Sequence, residues 1–230
     1  VREGFEAKFK MPVYEGYGTT ETSPGASVNL PDIKAPYKLR NRPGTVGKAF
    51  SGTEFRIVDP DSLESIPTGE DGLILIGGPQ IMKGYLKMPE KTAEVIELID
   101  GYRWYRTGDK GHLDEDGFLT IVDRYSRFAK IGGEMISLTT VEEEILDACN
   151  DKDLEIAATC LPDQRKGEKI VLIATNNLDK NNLKKLLSDA KVNPLYHPAE
   201  VLIVEEIPKL GSGKTDFGAT KKIALVNEQK

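Results

Sequence analysis

The sequence predicts a mixed α+β fold in which a small β-barrel-like part precedes a compact α+β domain. Three observations carry that prediction. The 230 residues are 39% hydrophobic and 30% charged, which gives enough apolar content for one core or two smaller ones and excludes a disordered tail. Between residues 44 and 124, short β-prone runs alternate with turn residues. From 125 to 230, helical and extended patterns alternate instead.

Within 44–124, strands are expected at 44–50, 54–58, 72–76, 111–113 and 118–122. The last two flank Asp114-Glu115-Asp116-Gly117, read as a hairpin turn because the later ligands of a calcium-binding loop are missing. Residues 31–43 hold three prolines and are expected to be a linker setting off 1–43 from the barrel-like part. In the second part, Thr139 with Glu142, or Thr140 with Glu143, forms a capping-box pattern. It opens a helix through Cys149, with Val141, Ile145 and Ala148 on one face. Strands follow over 155–161, 169–175 and 200–204. A helix over 181–191 lies before the last of these, with Leu183, Leu186, Leu187 and Ala190 at i, i+3, i+4 and i+7.

Composition narrows the function classes. Thirty-one basic against 37 acidic residues leave a net charge of -6, and phosphate backbones select basic surfaces, so nucleic acid is not an expected partner. Cys149 and Cys160 form no CxxC pair, and His112 and His197 are the only histidines. Neither a disulfide framework nor a zinc site follows, and a reducing, cytoplasmic setting is expected. The longest apolar runs, such as 170–174 and 201–204, fall far short of the roughly 20 residues that cross a bilayer. Arg2, Glu3, Glu6, Lys8 and Lys10 put charges where a secretory segment would be apolar, so none is expected in these residues. Without an initiator Met, the chain is expected to begin inside a longer protein.

Three short segments carry candidate chemistry. Gly211-Ser212-Gly213-Lys214-Thr215 ends like a phosphate-binding P-loop, but the first glycine of that motif would fall on Pro208, which removes both the tight turn and its amide donor. What remains is a glycine-flanked tip presenting the Lys214 ammonium, a point cation suited to transient phosphate charge. Tyr17-Gly18-Thr19-Thr20-Glu21 gathers an aromatic ring, a hinge glycine, hydroxyl donors and a carboxylate within five residues. Tyr105-Arg106-Thr107-Gly108-Asp109 offers a carboxylate after a turn, suited to a pair of ribose hydroxyls. Taken singly, each is an ordinary polar turn more often than a site.

Together and in this order, YGTTE, YRTGD, the stretch from Asp123 and Arg124 through Lys130 to Gly132 and Gly133, and PKLGSGK resemble the adenylate-forming superfamily. That superfamily comprises acyl-CoA synthetases, luciferases and peptide-synthetase adenylation domains. FAKIGGEMISL and GSGKTDF further resemble the C-terminal part of the bifunctional Aas type, 2-acylglycerophosphoethanolamine acyltransferases fused to acyl-[acyl-carrier-protein] synthetases. The resemblance implies a division into the end of a large nucleotide-binding domain over 1–43, a β-rich subdomain over 44–124 and a mobile C-terminal domain over 125–230.

It also implies roles. Tyr17, beside Gly18, would stack on adenine, Thr20 would donate to the α-phosphate and Glu21 would hold Mg²⁺. Asp109 and Arg124 would bind the ribose of ATP or AMP, and Lys214 would bridge the substrate carboxylate and the α-phosphate. Lys130, Gly132 and Gly133 would approach the phosphopantetheine arm in a second step, after rotation about a hinge near Arg124. The implied substrates are a fatty acid and the thiol of acyl carrier protein, with CoA as the alternative acceptor and a non-catalytic binding module as the alternative class. For an acidic carrier protein, Arg127 with Lys130, or Arg165, Lys166 and Lys169, are candidate docking clusters. The parent protein would act on the cytoplasmic side, at the bacterial inner membrane.

The sequence departs from the family pattern at Ser126, where the hinge is usually Asp or Lys, and at Asp123, which replaces a glycine. The family's loop for the β- and γ-phosphates is expected upstream of residue 1. The 230 residues alone are therefore expected not to adenylate.

Overall fold

The computed structural model describes residues 2–32, 40–151, 153–175, 178 and 180–228. The chain divides into two units, Val1–Tyr125 and Ser126–Lys230. Both mix helix and sheet, which is the α+β class expected.

The first unit opens with α1 (Arg2–Phe9), followed by three short strands, β1 (Gly16–Tyr17), β2 (Ser27–Val28) and β3 (Lys48–Ala49), in one antiparallel sheet. The expected strand over 44–50 shrinks to two residues because Gly44 and Gly47 sit at φ +87° and +84°, a region that ends a strand. Of the expected linker, residues 33–39 lie outside the described residues; on either side of it, β2 pairs with β3 through Ser27 opposite Ala49. Asn29 fixes the near side by donating to the Thr45 carbonyl at 2.7 Å.

The next sheet is a half-barrel of β4 (Glu54–Val58), β5 (Gly72–Gly77), β6 (Ile96–Ile99), β7 (Tyr102–Leu113) and β8 (Leu119–Arg124). A five-residue helix α2 (Pro89–Ala93) precedes β6. Strand β5 is buried along its whole length, as its apolar run dictates. Ile74 and Ile76 pack with Ala26, Ile57, Tyr105 and Leu119, while Leu73 and Leu75 pack with Val58 and Trp104. The expected short strand at 111–113 is the end of the twelve-residue β7. A bulge hides that length: between Leu73 and Leu75 of β5, the opposing partners jump from Lys110 to Arg106. The hairpin turn expected at 114–117 is present, with the Gly117 amide on the Asp114 carbonyl at 3.0 Å.

The second unit is a five-stranded sheet between helical layers. Its strands are β9 (Phe128–Ile131), β10 (Glu134–Ser137), β11 (Ile156–Asp163), β12 (Gly167–Thr175) and β13 (Glu200–Val204), the last parallel to β12. Helices α3 (Leu138–Cys149) and α4 (Lys180–Asp189) cover one face through Val141, Ile145, Leu183 and Leu187. Helix α5 (Phe217–Glu228) covers the other through Ala224 and Ile223, against Ala157, Leu161, Val171 and Ile173. Strand β12 is buried on both faces, which its unbroken apolar run requires. The cap of α3 differs from the expected capping box: Ser137 accepts from the Thr140 amide at 3.2 Å. Glu142 does not cap, because its carboxylate turns inward to Arg127 and the Ala158 amide.

Candidate active site

The bulge in β7 is built by three residues of the YRTGD segment. Gly108 takes φ +76°, a left-handed conformation that a side chain disfavours, with open space where a Cβ would stand. The Thr107 hydroxyl donates to the Ile74 carbonyl at 2.8 Å and accepts from the Asp109 amide at 2.9 Å. The bulge thereby aims Asp109 inward, where it is 3% exposed.

Two partners meet that buried carboxylate. Tyr17, at the end of β1, donates its phenol hydrogen to Oδ2, and Arg124, opposite Asp109 in the β7–β8 register, brings Nε to 3.1 Å from Oδ1. An unpaired buried carboxylate would be costly; here one oxygen accepts from the phenol and the other is ion-paired with the guanidinium. Burial first, and then the Asp109 charge and hydrogen bond, push the Tyr17 phenol far above its ordinary value, so it stays a donor. Arg124 remains 68% exposed and keeps most of its guanidinium for another anion.

The turn after Tyr17 is forced by close packing. A Cβ on Gly18 would stand 1.8 Å from the Pro24 carbonyl oxygen, so no larger residue fits without moving the backbone. The chain then makes a 3-10 turn, Thr20–Thr22, in which the Thr19 amide donates to Thr22 Oγ1 at 2.9 Å. Thr20 is exposed. The Thr19 hydroxyl oxygen is buried and, among the described residues, meets no partner with full hydrogen-bond geometry. Its contacts with the Thr22 amide and the Glu21 carboxylate fall short of it.

Glu21 is held by residues that the motif reading did not include. The Tyr85 hydroxyl donates to Glu21 Oε1 at 2.6 Å, and the Met82 amide donates to the Glu21 carbonyl at 2.9 Å. Partial burial pushes the Glu21 carboxyl up, but the Tyr85 donor, Glu21's own amide, Thr19 and the Lys91 charge together outweigh it and hold it below its ordinary value. Tyr85 is itself fixed, its amide on Thr92 Oγ1 at 2.9 Å and the Lys91 ammonium 4.9 Å from its ring centre. Burial raises the Tyr105 phenol above its ordinary value, and the nearby charges of Glu21 and Asp109 add to that. Tyr85 has no sequence signature beyond an aromatic in a loop.

An ionised carboxylate with one oxygen committed to a phenol suits Mg²⁺, a hard cation usually bound by one or two carboxylates and completed by water and phosphate oxygens. Among the described residues no group of three or more His, Cys, Asp or Glu could form an all-protein cage. The under-satisfied Thr19 oxygen and the exposed Thr20 add hydroxyls beside it. The donor set therefore fits a nucleotide with its Mg²⁺.

The second unit carries the other expected residues. Lys214 is exposed on a small hairpin closed by the Lys209–Thr215 bridge, with the Leu210 amide on the Lys214 carbonyl and the Gly213 amide on the Leu210 carbonyl, both at 2.8 Å. This hairpin is no P-loop, as the spacing predicts. Lys130 is exposed on β9, and Gly132 and Gly133 form the two-residue turn into β10 at φ +60° and +94°. Turn geometry alone explains both glycines. No atom lies within 4 Å of where their Cβ atoms would stand, so the backbone there is open. Arg127, considered above as part of an exposed docking cluster, is 5% exposed instead, because Glu142 and the Ala158 carbonyl draw it inside. Lys169 is paired with Glu228 at 2.8 Å and Glu200 at 3.9 Å.

No helix among the described residues is long and apolar enough to cross a membrane. Residues 1–86 match the family of AMP-binding enzymes. The chain is 34% identical over 218 residues to a 4-coumarate–CoA ligase-like protein of Oryza sativa, covering 92% of this chain and 37% of that one. It is 35% identical over 214 residues to the 2-succinylbenzoate–CoA ligase of Listeria monocytogenes, covering 92% and 41%. It thus spans about two fifths of the length of these relatives. In three dimensions it is similar to ATP-bound MatB from Rhodopseudomonas palustris, with TM-score 0.77 and 28% identity over 96% of this chain and 42% of that one. The match over residues 1–86, the likeness to ligases over nine tenths of the chain and the shared fold place it in the adenylate-forming superfamily of AMP-binding enzymes.

Proposed function

We propose that the chain is the ribose- and metal-handling part, with the mobile domain, of an ATP-dependent acid–thiol ligase that works through an acyl adenylate. The observation that supports this most is Asp109, a buried carboxylate aimed by a bulge and held between Tyr17 and Arg124. In this reading Asp109 and Arg124 hold the ribose hydroxyls and the Tyr17 ring lies along the adenine. Thr20 donates to the α-phosphate. Mg²⁺ on Glu21 would supply neutralising charge for the phosphates. Lys214 offsets the charge that builds as two anions meet, when the substrate carboxylate attacks the α-phosphorus and the bond to pyrophosphate breaks.

Residues 125–230 act as the mobile domain and Ser126 as the hinge. In the second step a thiol sulfur attacks the acyl carbonyl and AMP leaves with the C–O bonding pair. Lys130 and the open Gly132–Gly133 turn line the approach of the thiol's arm, since nothing beyond the backbone obstructs it there.

Two acceptors end in the same phosphopantetheine thiol. CoA is supported by the activities that the names of the relatives print. Acyl carrier protein, with a fatty acid as substrate, is supported by the resemblance of residues 128–138 and 211–217 to Aas-type synthetases. Thioester formation by the whole protein, with palmitate and with 4-coumarate, offered CoA and holo-acyl carrier protein side by side, decides between them. Carrier preference with palmitate supports the Aas type, CoA preference supports an acyl-CoA ligase, and no thioester from any pair contradicts the ligase reading.

A further inference from the structure

We infer that Arg127 and Phe217 form a strut that positions the Lys214 loop, an inference that rests on the reading of Lys214 as the adenylating lysine. Arg127 is the second residue of its unit and is buried. One of its terminal nitrogens, Nη1, donates to the Ala158 carbonyl at 2.9 Å, and the other, Nη2, to Glu142 Oε2 at 2.6 Å. Glu142 Oε1 in turn accepts from the Ala158 amide at 2.6 Å. The guanidinium plane is thereby pinned to α3 and β11 by its in-plane donors, leaving its faces to other partners.

One face meets Phe217, whose ring centre lies 3.8 Å from the Arg127 guanidinium carbon. Phe217 opens α5, three positions after Lys214. Asp216, between them, accepts from the Ala219 amide at 2.9 Å, and its own amide donates to the Pro208 carbonyl at 2.8 Å, which closes the base of the loop. The point where the chain enters the unit and the point where it leaves the lysine loop are therefore stacked on one another. Phe217 stays 40% exposed, so burial is a weak reason for a large ring there, whereas a ring over a cation is a direct one. The strut makes Lys214 move with the whole unit rather than as a free loop. Arg127 and Phe217 act through Lys214 and touch no reacting atom, so both are positioning residues.

The test leaves Arg127 intact, since its loss would strand Glu142, and varies Phe217. Amide hydrogen exchange of this chain should show Leu210, Gly213 and Asp216 exchanging about tenfold faster in Phe217→Leu, with the β11 and β12 amides unchanged and Phe217→Tyr close to wild type. In the whole protein, Phe217→Leu should lower kcat for carboxylate-dependent ATP–pyrophosphate exchange about tenfold at little change in KM for ATP. Thioester formation from preformed acyl adenylate should be spared, and Phe217→Tyr should restore exchange. Unchanged loop amides in Phe217→Leu, or equal losses in both half-reactions without rescue by tyrosine, overturn the strut. If Lys214→Ala leaves exchange intact, the role of Lys214 fails, while the loop amides still judge the strut separately.

Discussion

Tyr17 donates its phenolic hydrogen to the carboxylate of Asp109, 92 positions further along the chain, so two segments that the sequence offers as separate turns form one unit of the site. Arg124 completes it from the neighbouring strand. A buried carboxylate between a phenol and a guanidinium is a rigid acceptor, with lone pairs left for a diol.

Removing the charge at this point should loosen both neighbours. Asp109→Asn keeps the volume but weakens the link to Arg124 and turns one acceptor oxygen into a donor facing the Tyr17 hydroxyl. The expected loss is about 2–4 kcal/mol of stability by chemical denaturation, since breaking a buried polar pair leaves its partner unsatisfied. Adenosine nucleotide affinity of the whole protein should fall by at least tenfold, read by calorimetry.

Glu21 gives a pH prediction. Its folded-state pKa lies below the ordinary value, so it adds stability above the unfolded-state value, and that contribution is lost as pH falls through the folded-state one. Tyr85→Phe removes the donor at Oε1. The Glu21 carboxyl midpoint, followed by carbon NMR, should move up toward the unfolded-state value, so this group's contribution above that value shrinks and less stability is lost on acidification. An unmoved midpoint would mean that Tyr85 does not hold this carboxylate.

Two glycines of the site should fail in different ways. Gly108→Ala meets open space and costs only the left-handed backbone, about 1–2 kcal/mol. Gly18→Ala drives a Cβ into the Pro24 carbonyl and must displace the turn that carries Thr20 and Glu21, so it should cost more. Denaturant midpoints of the two variants give the comparison.

In the second unit, Glu142→Ala strands the buried Arg127 charge and the Ala158 amide together. A loss of about 3–5 kcal/mol is expected, against near zero for Glu143→Ala on the same helix. Urea unfolding of the second unit measures it.

Much of the second unit was legible, because β11, β12, β13 and the apolar faces of α3 and α4 follow plain periodicities that packing preserves. In the first unit the bulge at Gly108 broke the alternation of β7, so a twelve-residue strand read as three residues. The cap of α3 was misplaced because Glu142 fits a capping box locally, while its partner Arg127, fifteen residues upstream, is a tertiary choice that no local pattern records. The same reason hid Tyr85, which reaches Glu21 across 64 positions. The site motifs themselves were visible as residue types in order, and their joining through Tyr17, Asp109 and Arg124 needed the fold.

Carboxylate-dependent ATP–pyrophosphate exchange by the whole protein, wild type against Lys214→Ala, tests the account most directly. The account predicts exchange that requires the acid and falls at least a hundredfold in the variant, with thioester formation from preformed acyl adenylate retained. Exchange that ignores the acid, or that the substitution leaves unchanged, would contradict it.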